Sequence, residues 1–153
     1  MDDAATPSGT STVPMAPPRP GYAPVAEWVL ADAEQLSRLR SSLARIVGPA
    51  DAAASGMHDT AEKLVLIASE LATNALLHGR PPTVVRLLRN DSSWLLDVVD
   101  HDVEGVPVLD GGRPPGHGGL GLLIAERLSA QVGWYTSGTA KHVWATFPVT
   151  QSD

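Results

Sequence analysis

The chain has 153 residues, a net charge of −6 and no cysteine. That length suits one domain with a single core, and the missing cysteine excludes disulfides, zinc–thiolate centres and thiol nucleophiles. Only two lysines and nine arginines are present, without the concentrated basic face of a nucleic-acid binder, so no direct nucleic-acid contact is expected. No apolar run approaches the roughly 20 residues of a membrane span, and the acidic start Met1-Asp2-Asp3 is unlike a secretory signal. The expected location is the cytoplasm.

Residues 1–21 hold five of the thirteen prolines among Ser, Thr, Ala and Gly. Such a composition buries too little apolar surface to offset its ordering entropy, which predicts a disordered tail ahead of one domain over 22–150. Val25–Leu30 reads as a first strand. Asp32 is a suitable N-cap for a helix to about Val47, with Leu36, Leu39, Leu43 and Ile46 on one face and Gly48-Pro49 as its stop. Asp59 or Thr60 then caps a second helix ending near Leu77, before His78-Gly79 and Pro81-Pro82. Thr83–Arg89 and Trp94–Asp100 alternate around Asn90-Asp91-Ser92-Ser93, a hairpin pattern.

An irregular stretch, Val103–Gly118, follows, rich in glycine and containing three prolines. A structureless connection of that length is uncommon in a small domain and points to a lid or binding loop. A third helix is predicted over about Leu120–Gln131. Trp134–Thr136 and His142–Pro148 close the chain as a hairpin around Ser137-Gly138. Helices beside antiparallel hairpins predict an α+β fold: a two-layer sandwich of a mixed, mostly antiparallel sheet with helices on one face.

Three features carry chemistry. The second helix is apolar almost all round, as a buried helix is, yet Glu70, Thr73 and Asn74 stand at i, i+3 and i+4 with His78 one turn on. A carboxylate and an amide there need either partners or a wet pocket. Asp100 ends an apolar strand at the mouth of the loop, where an aspartate also commonly serves as a turn former. The neighbouring Asp102 and Glu104 have no specific metal-binding spacing. Gly116-His117-Gly118-Gly119-Leu120-Gly121 opens onto a helix, where glycines let backbone N–H groups approach an anion. Gly116, Gly118 and Gly121 satisfy G-x-G-x-x-G, but no strand precedes them and no acidic residue follows at the required distance, which excludes a dinucleotide fingerprint.

Taken together, Glu70-Leu71-Ala72-Thr73-Asn74 through His78-Gly79, then Asp100, then Gly119-Leu120-Gly121-Leu122 resembles the ATPase domain shared by gyrase, histidine kinases and MutL, the Bergerat fold. The compact size and the ending Val143–Pro148 look most like bacterial anti-sigma-factor serine/threonine kinases of actinobacterial type. The resemblance covers about residues 22–150. It implies ATP and Mg²⁺ as cofactors, with Asn74 ligating the metal and Glu70 acting as the catalytic general base. Asp100 would accept the adenine amino group, Val103–Gly118 would form the lid, and the amides of Gly118, Gly119, Leu120 and Gly121 would cradle phosphates. It further implies a homodimer and, as partners, a sigma factor or an anti-anti-sigma antagonist. The alternative it leaves open is a non-catalytic ATP-dependent binding switch. Two positions depart from the pattern. Asp102 stands where a glycine is usual, with Gly105 the nearest substitute, and Gly118 stands where this subgroup commonly has arginine.

Overall fold

The computed structural model describes residues 10–12, 14–48, 57–104, 108–110 and 131–149. In chain order the elements are β1 (Thr10–Thr12), β2 (Ala23–Leu30), α1 (Gln35–Val47), α2 (Met57–His78), β3 (Thr83–Arg89), β4 (Ser93–Asp100), β5 (Val108–Asp110), β6 (Gln131–Ser137) and β7 (Ala140–Pro148). Five strands form a sheet in the order β2-β3-β4-β7-β6, with every neighbouring pair antiparallel. The architecture is thus the expected α+β sandwich, and its sheet is more uniformly antiparallel than the predicted mixed one. The short strands β1 and β5 pair separately with each other.

Strand alternation decides which side of the sheet meets the helices. Val85 and Leu87 of β3, Leu96 and Val98 of β4, and Ala145 and Phe147 of β7 face α1 and α2. There they enclose Leu39 and Leu43 of α1 with Leu64, Ile67 and Leu71 of α2. Full burial of side chains of this size contributes roughly 1.5–3 kcal/mol each. α2 packs on β3, β4 and β7, while α1 lies against α2 and touches β2. Arg40 of α1 ties the two helices by donating from Nη1 to Ser69 Oγ at 2.9 Å.

The helix starts differ from the sequence expectation. Asp32 does not cap α1: its carboxylate accepts from Glu34 N at 3.0 Å in a local turn, and the helix begins at Gln35. A short carboxylate reaches its own backbone two residues on as readily as the N3 amide of a helix. α2 begins at Met57, which places Asp59 and Thr60 inside its first turn instead of at its cap. The predicted third helix lies outside the described residues except for Gln131, the first residue of β6.

Both hairpins follow their turn chemistry. Asn90 Oδ1 accepts from the backbone of Ser92 and Ser93 at 2.9 and 2.7 Å, closing β3 onto β4. Gly138, at φ 62°, supplies the positive φ of the tight turn joining β6 to β7; β6 is longer at both ends than the sequence suggested, and β7 starts two residues earlier and ends at Pro148 as expected.

Part of the proline-rich tail is engaged with the sheet. Pro14–Ala16 runs alongside β6, with Met15 bridging Trp134 in parallel. Trp134 N donates to Pro14 O at 3.1 Å, and Ala16 N donates to Trp134 O at 2.9 Å. Composition gave no sign of this, because the bonds are made by backbone groups that any residue could offer. Among the described residues no helix is long and apolar enough to cross a membrane.

Candidate functional site

The site is built where the C-terminal end of α2 meets the end of β4. Gly79, directly after α2, leaves no room for a side chain. A Cβ there would lie 2.6 Å from Cγ and Oδ2 of Asp100 and 2.7 Å from Ala75 O. Asp100 is 3% exposed. Its Oδ1 accepts from Asp102 N at 2.7 Å, and its Oδ2 lies 3.8 Å from Lys141 Nζ. Asp102 is one of the two positions where the chain departs from the resembled pattern. Asp102 serves Asp100 through its backbone amide, a group that its side chain does not alter.

The surrounding turns brace this carboxylate. His101 N donates to Arg80 O at 2.9 Å, and His101 Nδ1 lies 3.0 Å from Thr139 O. The end of β4 is thereby fixed to both the α2–β3 connection and the β6–β7 turn.

Glu70 and Asn74 stand on α2 before Gly79, about 13 and 7 Å along the helix axis from it at 1.5 Å per residue. Both are half-buried, and neither has a hydrogen-bond or ion-pair partner among the described residues. Thr73, grouped with them in the sequence, is occupied elsewhere: its Oγ1 donates to Ser69 O at 2.7 Å. His78 is exposed at the end of the helix. The polar stripe on α2 therefore narrows to a carboxylate and an amide, half-buried on the helix that ends one residue before the glycine backing Asp100.

Gly105 and the run Gly116–Gly121, including Gly118, Gly119, Leu120 and Gly121, lie outside the described residues. No group of three or more His, Asp or Glu side chains able to hold a metal occurs among the described residues. A divalent ion here would take few protein ligands, such as the Asn74 amide oxygen, and complete its shell with water and anionic oxygens of a bound molecule. Mg²⁺ binds in that manner.

A cavity between α1 and α2 and another under Pro17–Tyr22 are lined by none of Glu70, Asn74 and Asp100. A second buried carboxylate, Asp97, lies on the sheet face away from the helices. It accepts from Arg86 Nη1 at 3.2 Å and sits 3.0 Å from His142 Nδ1, over which Tyr135 stacks. These partners compensate its burial, which suits a structural role.

Sequence reasoning missed Lys141. Its only signal is non-local: the register that sets Lys141 opposite Asp100 exists once β7 pairs with β4.

Residues 29–147 match the model of the family described as the histidine kinase-like ATPase domain. No curated protein matches the chain. Among solved structures, the chain is similar to one described as the RsbU and RsbW domains of Rv1364c from Mycobacterium tuberculosis, at a TM-score of 0.56 and 20% identity. The match covers 85% of this chain and 34% of that one, so the chain spans about a third of that protein's length.

Proposed function

From the premise that this chain belongs to the histidine kinase-like ATPase domain family, we propose that it binds ATP with Mg²⁺ and acts as a protein serine/threonine kinase of the anti-sigma-factor type. The observation that carries the reading is the pairing of Asp100 with Gly79 at the foot of α2, the helix that also presents Glu70 and Asn74 without partners among the described residues.

In this reading the buried carboxylate of Asp100 accepts the adenine amino group, and the absent side chain of Gly79 lets that carboxylate pack against the end of α2. Asn74 would hold Mg²⁺, which when bound neutralises charge on the phosphates. Glu70 takes the proton of a partner's serine hydroxyl as that oxygen bonds to the γ-phosphorus and the bond to ADP breaks. The lid over Val103–Gly118 and the amides of Gly118, Gly119, Leu120 and Gly121 would enclose the phosphates, with Gly105 at the lid's start. The partners would be a sigma factor, an antagonist protein bearing the acceptor serine, or both. The protein would work as a homodimer in the cytoplasm. The similarity to a chain carrying an RsbW domain is consistent with this assignment.

One sequence feature favours the alternative of a nucleotide-dependent switch without catalysis. Gly118 supplies no cation where the subgroup commonly has arginine, and a missing cation weakens stabilisation of the transferring phosphoryl group more than it weakens adenine binding.

Purified protein incubated with γ-labelled ATP, Mg²⁺ and candidate antagonist proteins separates the two. Label on a partner serine, lost in Glu70→Ala, is the kinase result. Nucleotide binding without transfer to any partner is the switch result, and absence of nucleotide binding overturns both.

A further inference from the structure

The β4–β7 register sets Lys141 directly opposite Asp100, and Lys141 is only 8% exposed. Burying an ammonium is costly unless it is paired, and one group it faces is the carboxylate at the candidate site, 3.8 Å away. That separation exceeds a direct hydrogen bond, which spans about 2.7–3.2 Å. A ligand edge lying alongside the two groups can present one polar atom to each of them. Adenine has that edge: the 6-amino group donates, and the neighbouring ring nitrogen N1 accepts.

We propose that Lys141 reads the base together with Asp100, its ammonium donating to adenine N1 while the Asp100 carboxylate accepts from the 6-amino group. An ammonium carries three N–H donors arranged in a cone, so it can serve a carboxylate and a ring nitrogen together. The carboxylate alone recognises a donor; the pair recognises a donor beside an acceptor. This assignment rests on the nucleotide-binding reading and adds to it a residue that the family motif does not contain.

The test compares ATP with 1-deaza-ATP, which keeps the 6-amino group but carries C–H in place of N1. Binding is measured by calorimetry on the full-length protein and on Lys141→Met. The wild type is expected to bind 1-deaza-ATP about 10- to 100-fold more weakly than ATP, the range for one hydrogen bond to a charged group. Lys141→Met is expected to bind the two nucleotides alike. Equal binding of both by the wild type overturns the assignment, and that comparison needs no variant to fold. A penalty that persists in Lys141→Met gives the N1 contact to another donor and overturns it equally. If ATP itself does not bind, the nucleotide reading falls first and this assignment with it. Binding of ATP with no N1 penalty removes Lys141 alone.

Discussion

Gly79 lies against the Asp100 carboxylate so closely that a methyl group on it would meet Cγ and Oδ2 at 2.6 Å. The neighbouring obstacle, Ala75 O, is backbone and cannot swing aside. Gly79→Ala should therefore displace Asp100 or the end of α2. The expected cost is about 1–3 kcal/mol, as for other overpacked sites, together with weaker ATP binding. Thermal melting and nucleotide titration check both, and an unchanged melting temperature would show that Asp100 is free to move.

Glu70 and Asn74 separate cleanly as variants, because neither holds the described structure together through a hydrogen bond or ion pair. Glu70→Gln should leave stability within about 0.5 kcal/mol and preserve ATP binding. Phosphoryl transfer should fall by roughly 10²–10⁴, the usual contribution of a general base. Asn74→Ala should make the remaining nucleotide binding insensitive to EDTA. Mg²⁺ dependence equal to that of the wild type would remove Asn74 from its assigned role.

Gly133 is held glycine by an aromatic neighbour. A Cβ there would come within 2.6 Å of the Trp144 ring and 3.1 Å of Ala16 O, and Trp144 Nε1 donates to that same Ala16 O at 2.8 Å. Gly133→Ala should push the indole away and break this bond, at a cost of about 1–3 kcal/mol. A shifted tryptophan emission with a lower melting temperature is the expected result. ATP affinity should be preserved, since Gly133 and Trp144 lie away from Asp100.

The chain's two tyrosines, Tyr22 and Tyr135, offer a check by pH. Burial, and then the charge of Asp97, hold the Tyr135 hydroxyl above the ordinary tyrosine range, with Arg86 opposing. The folded state thus favours the protonated phenol. Its contribution to stability is complete below pH about 10 and is lost as pH rises from there through the folded value. Ultraviolet titration should show a late tyrosinate component that Tyr135→Phe removes. The variant should also lose less stability than the wild type above pH 10.

Elements with strong local patterns were legible in the sequence. β3 has the bounds its alternation predicted, and α2 was recognisable from its apolar residues, although only one side of it is buried: Leu64, Ile67, Leu71 and Ala75 face the core while Leu66 and Leu77 are exposed. Both helix starts were misplaced, since Asp32, Asp59 and Thr60 are equally at home in caps, turns and first turns. Asp100 was visible as the end of a strand, but its partners were not. Gly79 and Lys141 reach it from just after α2 and from β7, parts of the chain that only the assembled fold brings together. The docking of Pro14–Ala16 was hidden for the same reason, being a backbone pairing to a strand more than a hundred residues away.

That docking leaves the five-stranded sheet asymmetric. Pro14–Ala16 occupies the outer side of β6 at Trp134, whereas β2 at the opposite margin has no strand beyond it among the described residues. Ribbon-to-ribbon growth needs two open margins to continue indefinitely. With one margin obstructed, two copies meeting β2 to β2 would use up both open sides at once. Self-association by addition at β2 would then stop at a closed pair.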